Sequence, residues 1–288
     1  MERGNKIILN FQKNEITEHY IYNYLSKHVK GKNKAILEKI GEDELRHYRE
    51  WKEYTGADVP KNNFKIFFYI FLSKLFGITF AIKLMENGER VAESAYREAE
   101  KVYPKAKEIL KEEEIHEKMI INMIEEEKLG YISSIVLGLN DALVEITGTL
   151  AGLTFALQNS TTTGVAGMIT GAAASLSMAA SEYLSQKADS KNTKSNPMKA
   201  SLYTFIAYLT VVFALVLPFF FIRNYVLAFF ISLVAGCLVI LIFSFFVSVV
   251  QDRRFGSIFV EMVFIAGTVA IISFLIGSAA RRIFHINV

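Results

Sequence analysis

The sequence predicts an all-α chain in two parts, a four-helix bundle followed by a five-helix transmembrane domain. Three observations predict this. Charge is split unevenly: residues 1–130 hold 23 Lys+Arg and 23 Asp+Glu, leaving nine of the 32 basic and six of the 29 acidic residues for the rest. The charged part shows helical periodicity in four segments and strand alternation in none. The remainder holds five apolar segments of about bilayer length. Two domains in different solvents follow, residues 1–130 and 131–288.

In the first part, a helix is expected from about Ile8 to Val29 and a second from about Lys34 to Tyr54, stopped by Gly56 with Pro60 beyond. A third covers about Lys74 to Lys101, and a fourth begins near Pro104, a residue tolerated in a first helical turn. Between the second and third lies NNFKIFFYIFLSKLF. With Lys83 beyond it, Lys65 and Lys74 are spread through this stretch and project to opposite sides of a helix. A span would hold costly mid-bilayer lysines, so a crossover on the membrane surface near residues 62–74 is expected. Short connections on either side of one long connection match the connectivity of a ferritin-like bundle.

Such a bundle holds two metals with one Glu from each of two helices and a Glu-x-x-His from each of the others, because i and i+3 share a face. Glu44-x-x-His47 falls on the second helix and Glu113-x-x-His116 on the fourth. The first helix offers Glu15 or Glu18, the third Glu86, Glu89 or Glu93. One such motif in so acidic a helix would be an ordinary solvated pair; two on alternate helices are a rarer coincidence. Carboxylates with imidazole suit Fe(II), Mn(II) or Zn, and carboxylate-bridged irons can react with oxygen. His19 and His28 lack such partners. Cys237 is the only cysteine, which excludes disulfide frameworks, zinc ribbons and four-cysteine iron sites. A net charge of +3 is too small to argue for nucleic acid. The N-terminus lacks a signal-peptide pattern, so the first domain is expected in the cytosol.

At these residues the first 130 positions resemble a rubrerythrin/ferritin-like domain. NEITEHYIYNYL is similar to that family's first helix, which implies Glu15 as ligand and Tyr22 as its neighbour. Glu86-x-x-Glu89 resembles the paired carboxylates of its third helix, and Glu18 and Glu93 lie on the same faces. The resemblance implies a di-iron cofactor. The chain departs from true rubrerythrins in lacking the four-cysteine domain, which weakens any peroxidase reading.

The five apolar segments run over about Ile132–Gln158, Val165–Ser185, Ser201–Ile222, Val226–Val250 and Ile258–Ile283, with Pro218 expected to kink the third. The second is rich in Gly, Ala and Ser, the composition of a tight helix contact. Lys187, Lys191, Lys194 and Lys199, and Arg253 with Arg254, fall on the side of a cytosolic N-terminus. Arg281 and Arg282 go against that rule.

Asp141 and Glu145 are one turn apart on the first span, and Met178 and Glu182 likewise on the second; Glu261 is alone in the fifth. An Asp near a bilayer centre costs roughly 2.5–3.5 kcal/mol, so it is usually paired or functional. A helix-capping contact for Asp141 and interfacial solvation for Glu182 are the alternatives. A thioether beside carboxylates favours transition metals over Mg(II) or Ca(II). Buried carboxylates can also exchange protons for a cation.

GLNDALVEITGTLAGL, SLSMAASEYLS and the five-span count resemble the vacuolar iron transporter family. That resemblance implies that Asp141 and Met178 line a route for Fe(II), exchanged for protons at a homodimer interface. The loop QKADSKNTKSNPMK lacks the carboxylate-rich segment of eukaryotic members, and the N-terminal domain is expected to take its place. The whole resembles membrane-bound ferritin-like transporters of prokaryotes. The expectation is a homodimer in the cell membrane that exports Fe(II), or Mn(II), against protons. The alternatives are a membrane-anchored di-iron ferroxidase or peroxidase without flux, and a metal sensor.

Overall fold

A computed structural model describes residues 2–88, 103, 105–123, 131–188 and 196–285. Among them ten helices and no strand are present, and the chain divides into two compact units, Met1–Glu125 and Glu126–Val288.

In the first unit α1 spans Glu2–Ser26, α2 Lys32–Thr55 and α3 Asn63–Phe76; α4 is described over residues 78–88, and α5 spans Ala106–Met123. Gly56, in the left-handed region, ends α2 with its N–H donating to Lys52 O, as the sequence signal indicates. The Asn62 side chain starts α3 by accepting from the Lys65 N–H. The expected third helix divides differently: Lys74 belongs to α3, and Gly77 at φ 97° breaks the chain before α4. That φ is open to glycine at little cost.

Burial along these helices is layered. On α1, Ile8 and Phe11 precede Glu15 and Glu18, and Ile21, Tyr22 and Leu25 follow, all buried. On α2 the order reverses, Leu37 and Ile40, then Glu44 and His47, then Trp51. On α5, Ala106 and Ile109 precede Glu113 and His116, with Ile120 beyond. Two apolar clusters form, one around Tyr22, Leu37 and Ile120, the other around Phe11, Trp51 and Ile109. A buried polar layer therefore lies between two apolar ones. The apolar residues recur every three or four positions, as a core-facing helix stripe requires.

The second unit comprises α6 (Ile132–Leu157), α7 (Ser160–Ala188), α8 (Pro197–Phe221), α9 (Tyr225–Gln251) and α10 (Phe255–Phe284). All five are long and apolar enough to cross a membrane, and α6 packs against the other four. Asn196 and Asn224 cap α8 and α9 by accepting from two backbone N–H groups each. The helix α8 continues through Pro218 to Phe221. A Cβ on Gly277 would lie 2.1 Å from Gly152 O, so backbone meets backbone where α10 crosses α6. Arg281 donates to Ala156 O at 3.1 Å, where the last carbonyls of α6 lack helical partners. That contact gives Arg281 a local role independent of loop charge.

Candidate metal centre

The side chains of Glu15, Glu44, His47 and Glu113 converge, with one ligand atom from each lying within 4.8 Å of the others. Around a metal with bonds of about 2.0–2.2 Å, opposed ligands stand little more than 4 Å apart, so a small contraction would close the set. Three helices supply these residues, and the two Glu-x-x-His pairs bring His116 into the same layer.

Glu44 places Oε2 3.8 Å from His47 Nδ1 and Oε1 3.4 Å from His116 Nδ1. Glu113 does the same, with Oε1 3.1 Å from His47 Nδ1 and Oε2 3.3 Å from His116 Nδ1. Each carboxylate thus turns one oxygen to each imidazole, whose ring centroids are 6.0 Å apart. Glu15 Oε2 adds a third carboxylate oxygen 3.5 Å from His47 Nδ1. His47 is fully buried, and among the described residues its Nδ1 has no hydrogen-bond partner. A buried imidazole nitrogen left unpaired among three carboxylates fits a cation.

The opposite ring nitrogens are held from outside. His47 Nε2 lies 2.7 Å from Glu112 Oε2 and His116 Nε2 3.1 Å from Asp43 Oδ2. An Nε2–H donated to carboxylate leaves the Nδ1 lone pair facing inward. The acid preceding each motif Glu therefore orients the histidine of the other motif. Arg46 ties the two acids together, donating from Nη2 to Asp43 Oδ1 at 2.9 Å and to Glu112 Oε2 at 2.8 Å.

Electrostatics separates the inner acids from the outer pair. Burial, then the charges of Glu113 and Glu15, push Glu44 well above the usual carboxylate range. Burial raises Glu86 to about 7 against the opposing Tyr22 hydrogen bond. For Asp43 and Glu112 burial acts upward too, but Arg46 and the histidines outweigh it and hold both low. Burial opposes charge on His116, yet Glu113 and Glu44 carry it up to about 10; His47 is raised by Glu113, Glu15 and Glu44 in the same way. The layer carries surplus negative charge that protons or a cation must offset.

The other expected residues fall nearby. Glu86, buried on α4, accepts from Tyr22 Oη at 2.8 Å, so Tyr22 serves Glu86 by this contact. Glu15 accepts from Trp51 Nε1 at 3.1 Å. Glu18 is buried but accepts from Lys65 Nζ of α3 at 2.7 Å and stands outside the four-residue group. Glu89 and Glu93 lie outside the described residues. Asp43, Glu112, Arg46 and Trp51 were not anticipated. The signal for the first two was present, an acid immediately before the Glu of each motif.

In the second unit, Ser134 Oγ of α6 donates to buried Glu182 of α7 at 2.5 Å, and Gln186 Nε2 donates to the same oxygen at 2.9 Å. Tyr208 Oη of α8 donates to Glu145 Oε2 at 2.7 Å. Asp141 is half-buried on the Glu145 face, and Met178 packs half-buried beside the span core. Asp141 stands seven residues, about 10 Å, beyond Ser134 on α6. Met178 is one turn from Glu182 on antiparallel α7, so polar groups on two helices occupy the same stretch of the spans.

Residues 132–196 match the model of the VIT family. The VIT match covers α6 and α7, which carry Asp141, Glu145, Met178 and Glu182. With the five apolar helices it supports an integral membrane protein and membrane transport of a metal ion such as iron or manganese. The match does not reach the first unit, whose metal-binding reading rests on its own geometry. No curated protein matches the chain.

Proposed function

We propose that the protein exports Fe(II), or Mn(II), from the cytosol against protons, as a homodimer in the cell membrane, with a ferritin-like N-terminal unit that captures the metal. The observation that carries the capture step is the pair of carboxylates, Glu44 and Glu113, each turned to both His47 and His116. Glu15, Glu44, His47 and Glu113, with His116 and Glu86 in the same layer, would hold the captured metal. Glu112 and Asp43 hold the imidazoles in the ligating tautomer, and Trp51 and Tyr22 hold the outer carboxylates.

Transport is assigned to the spans. Asp141 and Glu145 supply carboxylate oxygen and Met178 a soft sulfur, a set that discriminates against hard ions. Carboxylates in a low-dielectric span take up a proton when the metal leaves, which supports counter-transport. A Glu exposed on an apolar span, as Glu145 is, favours cover by a second copy or by a watery route. The basic loops expected on the cytosolic side support the stated orientation.

The test is Fe(II) flux into proteoliposomes under an imposed pH gradient. Asp141→Ala and Met178→Ala each reduce flux and its coupled proton movement, and His47→Ala reduces metal bound per chain. Undiminished flux in both span variants would overturn the route. Metal oxidation without flux in the unaltered protein would favour the anchored-oxidase alternative.

A further inference from the structure

We propose that the outer face of α3 lies in the boundary between lipid headgroups and acyl chains, as an interfacial helix of the N-terminal unit. This goes beyond the transport reading and does not depend on it. The inner face of α3 is occupied: Tyr69, Leu72 and Ser73 are buried, and Lys65 reaches Glu18. An ordinary surface helix would turn polar groups outward. Here the outward positions are Phe64, Phe67, Phe68, Phe71 and Leu75, a stripe at i, i+3, i+4, i+7 and i+11. Phe64 is 77% exposed and Phe67 67%, and the rings pair along the stripe, Phe64 with Phe68 and Phe67 with Phe71. So large an apolar face marks an interaction surface.

Two features select lipid as the occupant. The helix holds no Asp or Glu, and exposed Lys74 borders the stripe with Lys61 just before the helix, a fringe that complements anionic headgroups. At 14 residues, about 21 Å, α3 is too short to cross a bilayer but suits lying in its surface. A second copy docking the same stripe would set like-charged lysine fringes against each other.

The experiment uses the full chain in phosphatidylcholine–phosphatidylglycerol nanodiscs, with and without bromine on the acyl chains. Phe67→Trp and Phe71→Trp place a reporter on the stripe, and Glu38→Trp places one on the exposed charged face of α2. Buried Trp51 is the sole native tryptophan and its emission is subtracted. Emission at positions 67 and 71 is expected to fall in brominated discs and to resist aqueous acrylamide, with the reverse at position 38. Quenching at 67 and 71 by acrylamide alone overturns the proposal, placing the stripe in water. Protection from both quenchers overturns it too, placing the stripe against protein. Both substitutions exchange one exposed aromatic for another, so folding is preserved; bound metal per chain checks it.

Discussion

Truncating Glu112 tests the inward-facing lone pair on which the proposed metal centre depends. Glu112 Oε2 is 2.7 Å from His47 Nε2 and 2.8 Å from Arg46 Nη2. Its loss leaves a buried Nε2–H without its acceptor, or lets the ring proton move to Nδ1 and block the ligand atom. Removing a carboxylate that orients a metal-binding histidine costs about 10–100-fold in affinity, or about 1.4–2.7 kcal/mol. Glu112→Ala belongs at the upper end, because Arg46 loses a partner in the same step. Glu112→Gln belongs at the lower end, since its amide oxygen still accepts from Nε2–H.

The protein carries its own reporter. Trp51 is the only tryptophan, and its indole N–H donates to Glu15. Mn(II) titration of the metal-stripped chain, followed by Trp51 emission at fixed pH, gives the affinity directly. His47→Ala sets the scale for losing a ligand outright. If Glu112→Ala binds as tightly as the unaltered protein while His47→Ala is weakened, Glu112 is merely a surface partner of Arg46.

Metal-free protein should lose stability with rising pH. Glu86 is raised from its unfolded value of 4.5 to about 7, so its contribution is complete below pH 4.5 and is lost as pH rises from there through 7, by roughly 3 kcal/mol. His116, raised from 6.5 to about 10, adds a decline that starts above pH 6.5 and runs through pH 10. Thermal melts of the first unit, read at Trp51 in the full chain, should show both, and bound metal should flatten them; a rising profile would contradict the charge assignment. Gly277→Ala forces a Cβ onto the Gly152 carbonyl and should cost about 1–3 kcal/mol of span stability, whereas Gly267→Ala meets nothing within 4 Å. Equal melting temperatures in detergent would show that the helices part freely. Tyr208→Phe removes the hydroxyl that Glu145 accepts and should slow flux several-fold while leaving Mn(II) binding at Trp51 unchanged; unaltered flux takes Glu145 off the route.

What could be read from sequence follows from distance along the chain. The two Glu-x-x-His pairs were legible because three residues bring side chains to one helix face, whatever the helix packs against. Their supports were not, because Glu112 acts on a histidine 65 residues away and Asp43 on one 73 residues away. Glu18 shows the same limit from the other side. It lies one turn from Glu15, but α3 brings Lys65 to it, and only the path of the crossover decides that. The α3–α4 break also escaped, since Gly77 inside an apolar run reads as an ordinary tolerated glycine until its φ is seen.

In the spans, composition gave the five helices, and one-turn spacing gave the pairs Asp141 with Glu145 and Met178 with Glu182. Tyr208 was invisible, 63 residues from Glu145 in an apolar helix. Its hydroxyl changes the argument about that carboxylate. A Glu facing acyl chains would meet no donor and would cost several kcal/mol. Glu145 instead has one oxygen satisfied by Tyr208 and lies one turn from Asp141 on a face that is not fully covered. An acid anchored through one oxygen keeps the other for water, a proton or a metal. A side chain that only had to survive in lipid would have no use for that division.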